Sequence, residues 1–324
     1  MGAVGERLAF LTEWLDPHAS LVFTYQLVYH LVDDTIEMYD LRNRRPFLKR
    51  MPYPAVSADM LYLGANVTIH GRLHKVASYA DEYTKSKVEG GQTAGTVLVP
   101  LTELGSTLDA LQVRAGALVR DIACFADAGT GAATAALSVS VRGNATLADV
   151  CAENKLVARE DATGAGAKAL ASNALTTKAL ASCDNTTALC IIKPHAVLAK
   201  LTGSILQAIV DAGFDLKAVR MLTLDRANAS EFLEVYKGVV PEYAAMVDEL
   251  VAGPLYAVEV GSAGPQVVES LRMLAGPPDP EVGRLLRPNS LRARFGLDKV
   301  RNAVHTTDLE EDGELETRYF FQIL

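Results

Sequence analysis

The sequence predicts a multidomain protein of mixed α+β and α/β class, built from three consecutive units. A chain of 324 residues is longer than one hydrophobic core usually serves. Residues 20–88 alternate in polarity with a period of two, and strong strand and helix patterns recur across residues 184–324. A segment rich in Ala, Gly, Thr and Ser lies between them. We therefore place the units at residues 1–90, 91–182 and 183–324.

The first unit is predicted to be a small all-β module. Residues 22–29 and 35–40 form two alternating runs separated by an acidic break, which predicts a hairpin. Shorter strands are expected at residues 60–63 and 66–69. Residues 42–50 contain five cations and a proline, which indicates a loop or a sheet edge. This basic segment is either a docking site for an acidic surface or a solvated loop, and the residues alone leave both open.

Two stretches of the first unit carry a motif of the form D-x-T-x-E-x-Y/H-E/D followed by P-F-L-x-R. They read TYQLVYHLVDDTIEMYDLRNRRPFLKR and LYLGANVTIHGRLHKVASYAD. These stretches resemble the DM-ten domain, a module of pleckstrin-homology type found in ciliary proteins. Arg44 stands where that family often has glycine. The resemblance implies association with the axoneme and implies no chemistry.

The middle unit has an α/β outline. Strands are predicted at residues 96–99 and 135–141, each followed by a helix, at 104–118 and 146–157. Its composition offers little apolar area per ordered residue. The tract 160–181 is interpreted as either a helix or a flexible linker.

The third unit has the strongest periodicity of the chain. Strands are predicted at 188–192, 214–224, 255–260 and 317–323, and helices at 201–212, 227–236, 241–251 and 264–275.

Residue types that bind phosphate are concentrated in the third unit beside one histidine. Guanidinium and ammonium groups can neutralise the charge that shifts during phosphoryl transfer. A neutral imidazole can accept a phosphoryl group near pH 7. On these residues alone, the histidine is either catalytic or an ordinary surface or core residue. The residues are Lys193, Arg272, Arg292, Arg294, Asn302 and His305.

Five blocks occur in order across residues 186–324: ALCIIKPHAV, VYKGVVPEY, LRM with AGPPDP, RPNSLRARFG, and RNAVHTTDLEEDGELETRYFF. In order and spacing they resemble the nucleoside diphosphate kinase family. The resemblance implies a ferredoxin-like βαββαβ fold and an enzyme that uses Mg²⁺. In that family a histidine takes the γ-phosphate of ATP or another nucleoside triphosphate and passes it to a nucleoside diphosphate.

The resemblance also implies roles for individual residues of this chain. His305 would be the phosphorylated nucleophile, and Glu316 would be the carboxylate that holds its ring. The remaining implied roles are Lys193 and Tyr236 beside the transferring phosphate, Arg272 and Arg292 as phosphate clamps, Asn302 at the ribose, Thr307 in support of the histidine, and Tyr243 as the aromatic that stacks on the base.

Three motifs depart from the family pattern. The I-K-P-D motif ends here in His195, and Pro278 replaces the threonine of the G-x-T-N-P loop. Proline offers no hydrogen-bond donor, and the loss of one such donor costs about 1–3 kcal/mol of phosphate binding. The P-G-T-I-R block lacks its glycine and threonine, although Ser290 still supplies a hydroxyl.

The combination of units resembles the axonemal branch of this family, nucleoside diphosphate kinase seven, which has two kinase domains in tandem. The middle unit then corresponds to a truncated first domain, in which Val99 occupies the position of the lysine. We expect it to be catalytically inactive and to serve packing. The resemblance implies a microtubule inner protein of ciliary or flagellar doublets, whose partners are tubulin and other inner proteins. The alternative is a purely structural scaffold with a vestigial kinase site.

The composition argues against several other classes of protein. The formal net charge of −8 opposes binding to nucleic acid or to an anionic membrane. No apolar stretch reaches the roughly 20 residues that cross a bilayer, and charges interrupt any signal peptide. The four cysteines form no CxxC pair, so we expect reduced thiols. The expected location is the cytoplasm and the ciliary cytoskeleton.

Overall fold

The computed structural model describes residues 6–16, 21–89, 92–114, 117–126, 132–142, 147–155, 159–160, 164–171, 181–184, 186–262 and 266–324. These residues form three antiparallel sheets, of six, four and four strands, in chain order. No helix among them is both long and apolar enough to span a bilayer.

The first sheet has the strand order β4-β3-β2-β1-β6-β5. Its elements are β1 (Arg7–Asp16), β2 (Leu21–His30), β3 (Thr35–Asp40), β4 (Arg45–Pro52), β5 (Asn66–Ile69), β6 (Arg72–Tyr79) and α1 (Glu82–Glu89). The hairpin of β2 and β3 is observed, and the basic segment lies in the turn before β4 and in β4 itself, at the edge of the sheet. The pleckstrin-homology assignment stays a prediction.

Two expectations about the first unit need correction. β1, which pairs with both β2 and β6, was not predicted. The expected strand at 60–63 is a short 3₁₀ helix, Ala58–Met60, followed by a turn. The backbone curls here because the Leu61 N–H donates to the Ala58 carbonyl and the Ala65 N–H donates to the Tyr62 carbonyl.

The middle sheet has the strand order β10-β7-β9-β8. Its elements are β7 (Gln92–Pro100), α2 (Leu104–Asp109), β8 (Leu118–Ala126), β9 (Ala133–Arg142), α3 (Leu147–Glu153), β10 (Arg159–Glu160) and α4 (Ala165–Ala171). The helix expected at 104–118 ends earlier, in a π-helical turn at Ala110–Arg114, because β8 begins at Leu118. Part of the 160–181 tract is helical, at Ala165–Ala171, and residues 161–163 and 172–180 of it lie outside the described residues.

The middle unit shares one hydrophobic core with the third unit. Helix α2 packs on α6 (Thr202–Asp211) where two glycines meet. A Cβ at Gly203 would lie 2.6 Å from the Asp109 nitrogen, and a Cβ at Gly105 would lie 2.6 Å from the Gln207 nitrogen. Only glycine permits this approach, because rigid backbone lies on the other side.

The third sheet has the order β12-β13-β11-β14, with helical connections from β11 to β12 and from β13 to β14, as in a ferredoxin-like βαββαβ unit. Its strands are β11 (Thr187–Ile192), β12 (Phe214–Leu222), β13 (Leu255–Ser262) and β14 (Val304–Thr306). Its other helices are α5 (Pro194–Leu198), α7 (Arg226–Phe232), α8 (Tyr243–Leu250), α9 (Val267–Ala275), α10 (Pro280–Leu286), α11 (Leu291–Phe295) and α12 (Gly313–Arg318).

The predicted terminal strand at 317–323 is wrong. The chain there is helical, as the end of α12 and a π-helical turn at Tyr319–Ile323. Adjacent Phe320 and Phe321 are both buried in the same apolar cluster. A strand would have directed consecutive side chains to opposite faces, so helical geometry is what buries both.

Candidate active site

His305 lies in the middle of β14 and is 8% exposed. Its Nε2 faces the Glu316 carboxylate of α12, with 3.6 Å between Nε2 and Oε1. The Phe232 ring meets the imidazole edge-on, with 5.0 Å between centroids. The ring therefore has one nitrogen directed at a carboxylate and an apolar wall beside it.

Lys193 follows β11 and is almost completely buried. Its Nζ donates to the Val300 carbonyl at 2.8 Å. Burial lowers the pKa of Lys193 to about 7, and the nearby guanidinium of Arg292 acts in the same direction. Because water is largely excluded from the Lys193 ammonium, a bound anion would strongly stabilise its charged form.

Arg292 is held in place by the backbone. Its Nε donates to the Val304 carbonyl at 3.1 Å, and its Nη1 donates to the Gly276 carbonyl at 2.8 Å. Burial lowers the pKa of this guanidinium as well. Two cations therefore sit in a weakly solvated position with no carboxylate hydrogen-bonded to either in the residues described.

Asp308 organises the outer side of the site. Its carboxylate accepts a hydrogen bond from the Tyr236 hydroxyl, and its backbone carbonyl accepts one from Arg272. The Asp308 carboxylate lies 3.8 Å from the Arg272 guanidinium. Burial and this carboxylate raise the pKa of the Tyr236 phenol.

Asn302 is buried, and its Nδ2 donates to the Pro278 carbonyl at 2.9 Å. Its Oδ1 has no hydrogen-bond partner among the described residues. The proline at 278 therefore still contributes a backbone acceptor to the site, while the side-chain donor of a threonine is missing.

One cavity of about 1080 Å³ brings most of the predicted site residues together. Thr307 and Tyr243 are not among the residues that line it: the Thr307 hydroxyl accepts from the Leu189 N–H at 3.0 Å, and the Tyr243 hydroxyl donates to the Ser230 carbonyl at 3.4 Å. Glu316 stands behind His305. The predicted residues that do line the cavity are Lys193, Tyr236, Arg272, Arg292, Asn302 and His305.

Two features of the site were missed by sequence reasoning. Asp308 could have been found, because it belongs to the N-A-V-H-T-T-D segment that also contains the histidine. The backbone carbonyls that hold Lys193 and Arg292 could not, since any residue supplies a carbonyl.

The donor set can be compared with the needs of Mg²⁺. The described residues contain no cluster of three metal-ligating side chains. Mg²⁺ is typically held by substrate phosphates with one or two carboxylates, and Asp308 supplies one at the cavity wall. The residues thus fit a Mg²⁺ that arrives with a nucleotide.

Comparison with known proteins agrees with this geometry. The nucleoside diphosphate kinase family model matches residues 186–323. The chain is 35% identical over 373 residues to nucleoside diphosphate kinase homolog 7 of Rattus norvegicus, covering 98% of this chain and 94% of the relative. It is 35% identical over 381 residues to the Mus musculus homolog 7, with the same two coverages.

A shorter relative matches a part of the chain that is about as long as the third unit. Nucleoside diphosphate kinase of Aquifex aeolicus is 34% identical over 133 residues, which are 41% of this chain and 92% of that protein. The two longer alignments exceed the 324 residues of this chain, so those relatives contain segments that it lacks. Residues 186–323 carry the family's kinase domain, and the chain as a whole belongs to the nucleoside diphosphate kinase homolog 7 family.

Proposed function

We propose that the third unit is a working nucleoside diphosphate kinase in which His305 carries the phosphoryl group. The observation that supports this best is the convergence of the buried Lys193 and the half-buried Arg292 on the cavity that contains His305. Such cations are stabilised by a polyphosphate, and phosphoryl transfer depends mainly on positioning and charge neutralisation.

The orientation of the His305 ring supports Nδ1 as the reacting atom. Nε2 faces Glu316, so the lone pair of Nδ1 attacks the γ-phosphorus of a nucleoside triphosphate. An N–P bond forms, the bond from phosphorus to the bridging oxygen breaks, and the diphosphate leaves. Glu316 then stabilises the ring as positive charge develops on it, and a second diphosphate takes the phosphoryl group by the reverse step. The separation of 3.6 Å exceeds a hydrogen bond, and we expect it to shorten in the nucleotide complex.

Mg²⁺ offsets the charge of the bound phosphates when it accompanies the nucleotide. Arg272 is half-exposed at the mouth of the cavity and shares Asp308 with Tyr236. In the complex we expect phosphate oxygens to replace Asp308 as its partner. Asn302 keeps a free amide oxygen, which is suited to a sugar hydroxyl.

The test is phosphorylation of the purified chain by γ-labelled ATP with Mg²⁺, followed by addition of a nucleoside diphosphate. Acid-labile, base-stable label that passes to the diphosphate is expected from the native chain and absent from His305→Ala. His70→Ala serves as the matched control, because His70 is exposed in the first unit. Absence of label from the folded native chain would refute the kinase and leave a vestigial site.

The second part of the proposal is a structural role in ciliary doublet microtubules, with tubulin and other inner proteins as partners. It is supported by the basic segment at the exposed edge of the first sheet. Arg44, Arg45 and Lys49 are exposed there in a chain whose net charge is negative. A concentrated patch of opposite sign is suited to an acidic surface.

Salt extraction of axonemes tests this role. A protein that is built into the doublet resists extraction, whereas a soluble kinase is released. A triple change of Arg44, Arg45 and Lys49 to Glu should release the chain while leaving phosphorylation of His305 intact. Release of the native chain by moderate salt would rule out the structural role.

A further inference from the structure

We propose that His195 is a positioning residue for phosphoryl transfer, which acts by holding the backbone of Ala303, two residues before His305. The inference rests on the proposed kinase function. His195 stands where the family motif has aspartate, and it does not line the nucleotide cavity.

The hydrogen bonds of the ring determine its protonation. The Ala303 N–H donates to His195 Nε2 at 3.2 Å, so Nε2 must present a lone pair. His195 Nδ1 lies 2.6 Å from Glu249 Oε1, which can only accept when ionised, so the ring proton is on Nδ1. The imidazole is therefore neutral and bridges a carboxylate to a backbone amide.

Glu249 makes two hydrogen bonds to His195. It is buried on α8, and the same Oε1 also accepts the His195 backbone N–H at 3.0 Å. Both hydrogen bonds orient the imidazole, so its second nitrogen points at the strand that carries His305. A carboxylate orienting a histidine in this way fixes both tautomer and ring plane.

Ala303 needs to be held. It is fully buried and has a φ of 70°, in the left-handed region that is unfavourable for a residue with a Cβ. Its carbonyl accepts the Lys193 N–H at 2.9 Å, and its N–H is the group that His195 binds. Residues 193–195 thus hold Ala303 at both ends.

This bracing matters because β14 is short. The strand pairs with β11 over three residues, with His305 opposite Ile191. Asn302, which faces the cavity, lies on the other side of Ala303. If Ala303 relaxed, Asn302 and His305 would shift relative to Lys193, and small displacements of reacting groups are costly. By holding Ala303, His195 therefore helps to fix the distance between His305, which accepts the phosphoryl group, and Lys193, which binds the phosphates.

Two substitutions separate the two bonds of the ring. The side chain of His195→Gln places its amide oxygen near the position of Nε2, so it can still accept from Ala303. The side chain of His195→Asn reaches only the position of Nδ1, so it keeps Glu249 and loses Ala303. The pair distinguishes positioning of Ala303 from a merely structural bond to Glu249.

The first measurement is single-turnover phosphorylation by γ-labelled ATP together with the affinity for ADP. We expect His195→Asn to slow phosphorylation by about tenfold or more and to weaken ADP binding by a smaller factor, since the shift that displaces His305 also moves Asn302. His195→Gln should stay within about threefold of the native rate. An equal or milder effect of the Asn change would overturn the proposal.

The second measurement does not depend on activity. Nitrogen NMR should show His195 with a protonated Nδ1 and a bare Nε2, and the Ala303 amide should exchange with solvent about tenfold faster in His195→Asn than in His195→Gln. Equal exchange in both variants would refute the bridge even if the native chain proved inactive. Absence of label from the native chain, with the exchange difference present, would instead refute only the kinase function.

Discussion

The middle and third units have the same strand order but different residues at the positions of the candidate active site. Read from β8 and from β12, their strand orders correspond strand for strand. Val97 lies three residues before Pro100, which ends β7, and Ile191 lies three residues before Pro194, which follows β11. On the neighbouring strands, Glu160 pairs with Val97 and His305 pairs with Ile191. The backbone position of the nucleophile is thus kept in the middle unit with a different residue in it.

The difference shows that topology and catalysis have separate requirements. The middle sheet needs apolar residues on its inner face, and it has them in the core that it shares with the third unit. Catalysis needs a few polar residues at chosen positions, and Val99 stands where the third unit has Lys193. We infer that the middle unit serves as a packing partner that covers α6 and β12.

The contact between the two units is itself nearly symmetric. Gly105 on α2 and Gly203 on α6 each lie against the backbone of the other helix. Ser204 donates to the Asp109 carboxylate, and the Cys124 thiol donates to the Val219 carbonyl at 3.1 Å. The packing surface is therefore specific in both units.

The largest expected effect on phosphoryl transfer distinguishes His305 from Glu160, which occupies the equivalent strand position in the middle unit. His305→Ala should reduce transferred label by at least about a thousandfold, since the covalent intermediate cannot form. Glu160→Gln should leave the rate unchanged. Loss of label in the Glu160 variant, measured in the same assay, would show that the middle unit contributes to chemistry.

The next largest effect concerns the contact between the units. Gly203→Ala and Gly105→Ala should each lower the free energy of unfolding by about 2–3 kcal/mol, because the added Cβ meets rigid backbone. Gly283→Ala in α10 is the control, since its Cβ would meet Ala293 at 3.3 Å and helix propensity offsets that crowding.

Denaturant unfolding measures these three variants. Similar losses at the two interface glycines would support a symmetric contact between the middle and third units. Full native stability in Gly203→Ala would mean that the two units do not pack as described.

A smaller effect tests the altered loop of the third unit. Pro278→Thr should tighten ADP binding by about 1 kcal/mol, roughly fivefold, because a hydroxyl donor returns beside Asn302. Calorimetric titration checks this, with Pro277→Thr as the neighbouring control. Weaker binding in Pro278→Thr would show that the proline is required by the loop conformation.

The smallest expected effect is the uptake of protons by Lys193 when ADP binds. The pKa of Lys193 is about 7, so this amine is mostly neutral at pH 8, and a bound phosphate raises its pKa. ADP binding at pH 8 should therefore take up between about half and one proton. Calorimetry in two buffers of different ionisation enthalpy measures the uptake.

Lys193→Arg is the matched control, since a guanidinium stays charged and should abolish the uptake. Val99, at the equivalent position of the middle unit, has no titratable group. Uptake of equal size in the Lys193 variant would assign the proton to another group.

Much of the third unit could be predicted from sequence, because its helices and buried strands have clear periodicity and its motifs are contiguous. The predicted terminal strand was wrong because residues 317–323 are rich in aromatic residues and end in isoleucine, residue types that favour strands, whereas burial of both Phe320 and Phe321 in one cluster goes with a helical backbone. In the first unit, β1 was missed because it is stabilised by pairing with β2 and with β6, and β6 lies more than 50 residues further along the chain. Pairing over such a distance cannot be read from a local sequence pattern.

The sequence by itself determined the family, the histidine and the cations around it, since these depend on residue identity and order. The tertiary structure decided what depends on distance and burial. It placed Thr307 and Tyr243 off the cavity, lowered the pKa of Lys193 by removing water from it, and set His195 between Glu249 and Ala303. Hydrogen bonds to backbone groups leave no trace in residue identity, because every residue but proline offers the same donor and acceptor.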